Sequence, residues 1–188
     1  LIVVEGPDGA GKTKMAERLS MALGVQIEPK AVNNEAQATV DMGEWIDHAI
    51  SQGFGLRLYD RFSLISELVY SPAMDNEWKP PHQHRGWLSN MLARFYGLEP
   101  FIIYCMPAWD IVWKNVQKDE TSKVVQNEKV MRRVYKLYEA RIAVDLAISQ
   151  GTIRVWDYEH DEGTGYFESL VAQIATSLAR HGIHANAR

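Results

Sequence analysis

The stretch Leu1-Ile2-Val3-Val4-Glu5-Gly6-Pro7-Asp8-Gly9-Ala10-Gly11-Lys12-Thr13 restricts the fold more than any other part of the chain. Its apolar opening reads as a strand buried on both faces, as in a parallel sheet. Gly6 to Thr13 then fits the phosphate-binding spacing G-x-x-x-x-G-K-[ST]. Glycines there let the backbone bend tightly and bring its N–H groups up to an anion with no Cβ in the way. Lys12 can set an ammonium on the β- and γ-phosphates, and the Thr13 hydroxyl can be a ligand of Mg²⁺. Met15, Ala16, Leu19, Ala22 and Leu23 recur at helical spacing until Gly24, so a helix follows and points its positive end at the loop. Strand, loop and helix together predict nucleoside triphosphate binding, with Gly6, Gly9, Ala10, Gly11, Lys12 and Thr13 as the cradle.

Downstream, strands alternate with helices. Val25–Glu28 reads as a second strand closed by Pro29, and Glu35–Gln52 as a helix capped by Asn33 or Asn34 and ended by Gly53. Leu56–Asp60 reads as a third strand and Ser63–Tyr70 as a helix. Ser71–His84, with Pro72, Pro80 and Pro81, is the longest breaker-rich segment, the kind of loop that often carries function. Trp87, Leu88, Met91, Leu92, Phe95 and Tyr96 mark a helix face. Phe101–Cys105 is a strongly apolar strand, followed by a helix over Trp109–Lys118. A long helix over Asn127–Gln150 has Val130, Val134, Leu137, Arg141 and Val144 along one side. "TIRVW" makes a fifth strand. Phe167, Leu170, Val171, Ile174 and Leu178 define a last helix. This order predicts one α/β domain over residues 1–188, with a parallel sheet of about five strands covered on both faces. Ligands in such sheets bind beyond the carboxyl ends of the strands.

Two further constellations fall at those ends. Asp60-Arg61 closes the third strand. The carboxylate can assist Mg²⁺, directly or through water, and the guanidinium can grip a phosphate with two parallel hydrogen bonds. Asp-Arg after a strand is also a common surface pair. Glu28-Pro29 closes the second strand, where the carboxylate can act as a general base, orient an acceptor or simply end a turn.

These residues resemble a family. "VVEGPDGAGKT" is similar to the amino-terminal motif of thymidylate kinases and related P-loop nucleotide kinases. "YDRF…SELVY" resembles their Asp-Arg motif, and "YCMPAWDIVWKNVQKDE" the strand–proline–helix that leads to their lid. The short lid and the spacing from Asp60 to Ser66 and Tyr70 resemble bacteriophage-encoded members. The resemblance implies a P-loop NTPase-type three-layer sandwich, and transfer of the γ-phosphoryl of ATP to a deoxynucleoside monophosphate with Mg²⁺. It implies that Gly6, Gly9, Gly11, Lys12 and Thr13 hold ATP, that Asp8 faces the acceptor sugar and that Asp60 supports Mg²⁺ or the acceptor. It further implies that Arg61 clamps the acceptor phosphate and that Phe62, Tyr70 or Trp87 packs on the base. A substrate-side loop falls near 71–86 and a lid near 118–128, with Lys118 and Lys123 as its candidate cations. The chain departs from the family's pattern at Ile27, where bacterial members often carry arginine, and at Ser71, where glutamine is usual. Its lid has no arginine before Arg132.

Several readings are excluded or demoted. The net charge of −4 provides no broad surface for duplex DNA or an anionic membrane. The single cysteine, Cys105, rules out an internal disulfide, suits a reducing cytoplasm and reads as a small buried residue. No apolar run is long enough to span a bilayer. His82 and His84 read as a solvated pair rather than a zinc site, Lys114 as part of a solvated face, and "HDEG" at 160–163 as an acidic turn. Three hypotheses remain: a monophosphate kinase, a kinase acting on a nucleoside hydroxyl (including a modified base in DNA), and a triphosphate-binding switch. The Asn-Lys-x-Asp element of guanine-reading switches is missing. The expected partner is a small nucleotide or nucleoside; the resemblance, not the sequence itself, suggests a homodimer.

Overall fold

The computed structural model describes residues 1–29, 42–53, 55–75, 86–118, 127–148, 151–161 and 164–183. In chain order these form β1 (Ile2–Glu5), α1 (Lys12–Leu23), α2 (Met42–Ser51), β2 (Leu58–Asp60), α3 (Ser63–Ala73), α4 (Trp87–Gly97), β3 (Phe101–Cys105), α5 (Trp109–Lys118), α6 (Glu128–Ile148), β4 (Ile153–Trp156) and α7 (Tyr166–Arg180), with a 3₁₀ turn at Tyr158–His160.

The strands line up β2-β1-β3-β4, all parallel. Val3 pairs with Tyr59 on one side and Ile102 on the other, and Ile103 pairs with Arg154. Every residue of β1 and of β3 is buried, because helices cover both faces. Burying each large apolar side chain there contributes about 1.5–3 kcal/mol. α1 packs with α7, while α6 packs with α3 and α5, and α2 with α3 and α4. β4, at the sheet edge, exposes Val155 between buried Ile153 and Trp156.

The structure corrects the sequence reading in four places. Among the described residues four strands form, where about five were expected. The Val25–Glu28 segment is reduced to one parallel bridge, Ile27 to Leu58, with the Glu28 N–H on the Leu58 carbonyl at 2.8 Å. Pro29 follows at once, and proline cannot donate to extend the ladder. Second, α3 runs through Ser71 and Pro72 to Ala73, although proline was expected to break it. The Met74 N–H still reaches the Tyr70 carbonyl at 3.0 Å. Third, the third strand begins at Leu58 rather than Leu56. Fourth, α6 buries Met131, Val134, Tyr138, Ile142 and Asp145, a face rotated from the expected one, and Val144 is exposed. Hydropathy missed that face because two of its members are a tyrosine and an aspartate, held inside by hydrogen bonds. The expected cap at Asn33 or Asn34, the lid lysine Lys123, His82, His84 and most of the 71–86 and 118–128 segments lie outside the described residues.

Candidate phosphate and acceptor site

The site is built where β1 and β2 end. Leaving β1, the chain crosses the end of β3, and a Cβ on Gly6 would run into the Cys105 carbonyl. Gly9 has φ +79° and lies against α5; a Cβ there would sit 2.6 Å from the Val112 carbonyl oxygen. Only glycine meets both demands, left-handed backbone and a close neighbour. Asn115 of α5 ties the loop down, donating to the Gly9 carbonyl at 2.9 Å and to the Tyr158 hydroxyl at 3.1 Å. The helix α1 begins with Gly11 as its N-cap, with no side-chain cap and no acidic residue in its first turn. Its first amides therefore face the loop with the positive end of the helix dipole behind them.

Lys12 is buried and folds onto its own loop, donating to the Pro7 carbonyl at 2.6 Å, with Asp8 Oδ1 at 3.7 Å. Burial, with Arg61 nearby, lowers its pKa to about 8. An anion beside it would restore full protonation. Thr13 donates from Oγ1 to Asp60 Oδ2 at 2.9 Å, joining the start of α1 to the end of β2. This hydroxyl and carboxylate are hard oxygen donors of the type Mg²⁺ takes beside nucleotide phosphates.

Arg61 follows Asp60 with φ +78°, which strains an L side chain by about 1 kcal/mol or more. Its N–H bonds the Val4 carbonyl at 2.9 Å. The turn sends the guanidinium back to the loop, where it pairs with Asp8, meets the Tyr70 hydroxyl at 3.2 Å and lies 4.9 Å from the Tyr70 ring centre. The Tyr70 hydroxyl also accepts the Asp8 N–H at 3.0 Å. Burial pulls the Asp8 carboxyl up, but Arg61 and Lys12 outweigh it and hold the group below the ordinary aspartate value. Burial pushes the Tyr70 phenol well up, so it remains a neutral donor and acceptor.

The remaining predicted residues fall in different surroundings. Phe62 is fully buried, stacked on Phe95 at 5.0 Å and flanked by Tyr59 and Trp45; it is core rather than an open surface for a base. Trp87 is half-buried at the start of α4. Glu28 is half-buried beside β2, where its charge acts on the Tyr59 phenol. Lys118 is exposed at the end of α5, and Lys114 is exposed too. Cys105 is buried, and burial raises its thiol to about 12. Asp161, read as part of a plain turn, is buried, bonds Arg18 at 2.7 Å and accepts the Phe167 N–H at 3.1 Å.

Glu5, Asn115, Tyr138 and Tyr158 escaped the sequence reading. For Glu5 a signal existed, because a charge inside a fully buried strand must find partners. It accepts from the Phe62 N–H at 2.6 Å, from the Ser66 hydroxyl at 3.1 Å and from the Tyr138 hydroxyl at 2.9 Å. Burial raises its pKa, against the pull of Arg61.

The result is an α/β fold, a parallel sheet covered by helices with this loop at the end of β1 and an Asp-Arg pair at the end of β2. Solved structures with that fold bear it out. The chain is similar to the YorR protein from Bacillus subtilis, solved in complex with phosphorylated GDP: 18% identity, TM-score 0.64, covering 96% of this chain and 97% of that one. It is similar to deoxyadenosine kinase from M. mycoides with bound dATP, at 16% identity and TM-score 0.59, covering 92% and 97%. The same kinase with products dCMP and a flexible dCDP matches at 16% identity and TM-score 0.57, covering 95% and 98%. No family model and no curated protein matches the chain. Among the described residues no helix is long and apolar enough to cross a membrane.

Proposed function

We propose that this chain is an ATP-dependent phosphotransferase whose acceptor is a nucleotide-class molecule, a deoxynucleoside monophosphate first. One observation carries the reading. The left-handed turn at Arg61 delivers a guanidinium to the phosphate loop, within the same cluster as Lys12 and Asp8. A triphosphate in the loop would receive the Gly9–Thr13 amides and draw the Lys12 ammonium from the Pro7 carbonyl. Thr13 and Asp60 would hold Mg²⁺, which would supply charge neutralisation to the phosphates. Arg61 would grip the acceptor phosphate, and its Asp8 and Tyr70 contacts set its direction. Asp8 would then face the acceptor sugar, and Lys118 would serve as a lid cation. Phosphoryl transfer needs alignment, charge neutralisation and exclusion of water rather than covalent help. An ionised monophosphate needs a cation more than a base, and Arg61 is that cation.

The second reading is transfer to a nucleoside hydroxyl. It is favoured by the likeness to a deoxyadenosine kinase and by Glu28, pinned beside the strand that ends in Asp60. A hydroxyl acceptor benefits from a carboxylate base, and Glu28 or Asp60 would serve. ADP release with a panel of deoxynucleoside monophosphates and nucleosides, in Mg·ATP, decides between them. Turnover with a monophosphate, lost on Arg61→Ala through KM, supports the first reading. Turnover with nucleosides alone, lost on Glu28→Gln through kcat, supports the second. Tight Mg·ATP binding without turnover on any acceptor defeats both.

A further inference from the structure

We infer that Glu5 is the positioning residue that holds the acceptor clamp in place. This rests on the reading of Arg61 as that clamp. A left-handed arginine persists only where its surroundings over-determine it. Two backbone straps do so here, one on either side of the Arg61 Cα. The Arg61 N–H is tied to the Val4 carbonyl at 2.9 Å, and the next N–H, of Phe62, to Glu5 Oε1 at 2.6 Å. Both straps anchor in β1, one residue apart, just before the phosphate loop begins. The carboxylate is itself held from two other elements. The Ser66 hydroxyl of α3 lies 3.1 and 3.3 Å from its two oxygens, and the Tyr138 hydroxyl of α6 lies 2.9 Å from Oε2. Glu5 is fully buried, so it touches no acceptor and acts through the turn it holds. Ser66 and Tyr138 point the carboxylate; the carboxylate fixes the turn; the turn aims Arg61 at Asp8 and the loop.

The test pairs Glu5→Met, which fills the space without an acceptor oxygen, with Glu5→Gln, which keeps one carbonyl for the Phe62 N–H. Glu5→Met is expected to raise the acceptor KM about thirtyfold, and Glu5→Gln to stay within about threefold of the parent. Calorimetric Mg·ATP affinity stays within about twofold in both, and adding Arg61→Ala to Glu5→Met brings no further rise. Should Glu5→Met fail to fold, the double variant Ser66→Ala/Tyr138→Phe loosens the carboxylate and is expected to raise acceptor KM about fivefold. An unchanged acceptor KM in the folded variant, or a loss that adds in full to Arg61→Ala, overturns the inference. If the parent chain shows no acceptor-dependent ADP release, the proposed function fails instead. The positioning role is then decided by a crystal structure of the folded Glu5→Met or double variant. Arg61 leaving its left-handed conformation supports it, and Arg61 staying there against Asp8 overturns it.

Discussion

Among the described residues two carboxylates, Glu5 and Asp145, are completely buried, and they are buried in opposite ways. Asp145 lies in the helical layer, on α6, with Arg141 one turn before it at 2.8 Å and the hydroxyls of Tyr96, at 2.6 Å, and Tyr104 on its oxygens. Its countercharge is carried by the same helix. Glu5 lies at the end of β1 and, among the described residues, takes its hydrogen bonds from neutral donors; Arg61 and Lys12 act on it from a distance. A locally paired charge locks packing, whatever happens at the site. A carboxylate held by neutral donors from separate elements fixes instead how those elements meet. The comparison separates a carboxylate that locks the helical layer from one that ties together the turn after β2.

The largest effect should come from Lys12→Ala, which removes the cation nearest the loop. It is expected to lower kcat by about 10³-fold or more while the melting temperature holds. A loss of melting temperature that accounts for the lost activity would place Lys12 with Asp145 instead. Asp145→Ala should show the reverse, since it strands Arg141 and two phenols. About 3–5 kcal/mol of stability goes, read by denaturant unfolding, while acceptor KM in the folded fraction is unchanged. Arg61→Ala should raise the KM of a monophosphate acceptor by about 10–100-fold and leave that of a nucleoside nearly alone. Equal effects on both acceptors would remove Arg61 from the clamp role.

A smaller effect concerns pH. The Lys12 pKa is lowered to about 8 in the folded, ligand-free chain, below its unfolded value of 10.5. Below about pH 8 both states are protonated, and the desolvation penalty is present in full. Between about pH 8 and 10.5 the unfolded chain binds more protons, so this contribution to stability rises with pH. Lys12→Met should flatten that segment of the stability profile, measured by urea unfolding. The smallest signal belongs to Cys105, whose raised thiol and burial predict no reaction with a thiol reagent until the chain unfolds.

The loop from Gly6 to Thr13 was readable because its chemistry is contiguous: glycines, lysine and hydroxyl act from neighbouring positions on one bend. The parallel sheet was readable because strands buried on both faces must be apolar throughout, as β3 is. Asp60 and Arg61 could be nominated by type and place, but not their partners. Thr13 meets Asp60 across 47 positions, Asp8 meets Arg61 across 53, and Tyr138 meets Glu5 across 133. Phe62 was nominated for base stacking because an aromatic beside Arg61 fits a pocket as well as a core. Only packing against Phe95 shows it as core. The rotated face of α6 was hidden for the same reason: a tyrosine and an aspartate belong inside only when distant groups receive them.

By itself, the sequence determined a loop of phosphate-binding spacing and a fold around a parallel sheet, because both follow from local backbone freedom and apolar patterning. Tertiary structure alone decided which way Arg61 points, which carboxylates are buried and what satisfies them. Those outcomes depend on hydrogen bonds between elements far apart in the chain, and no local pattern encodes a partner that only folding brings near.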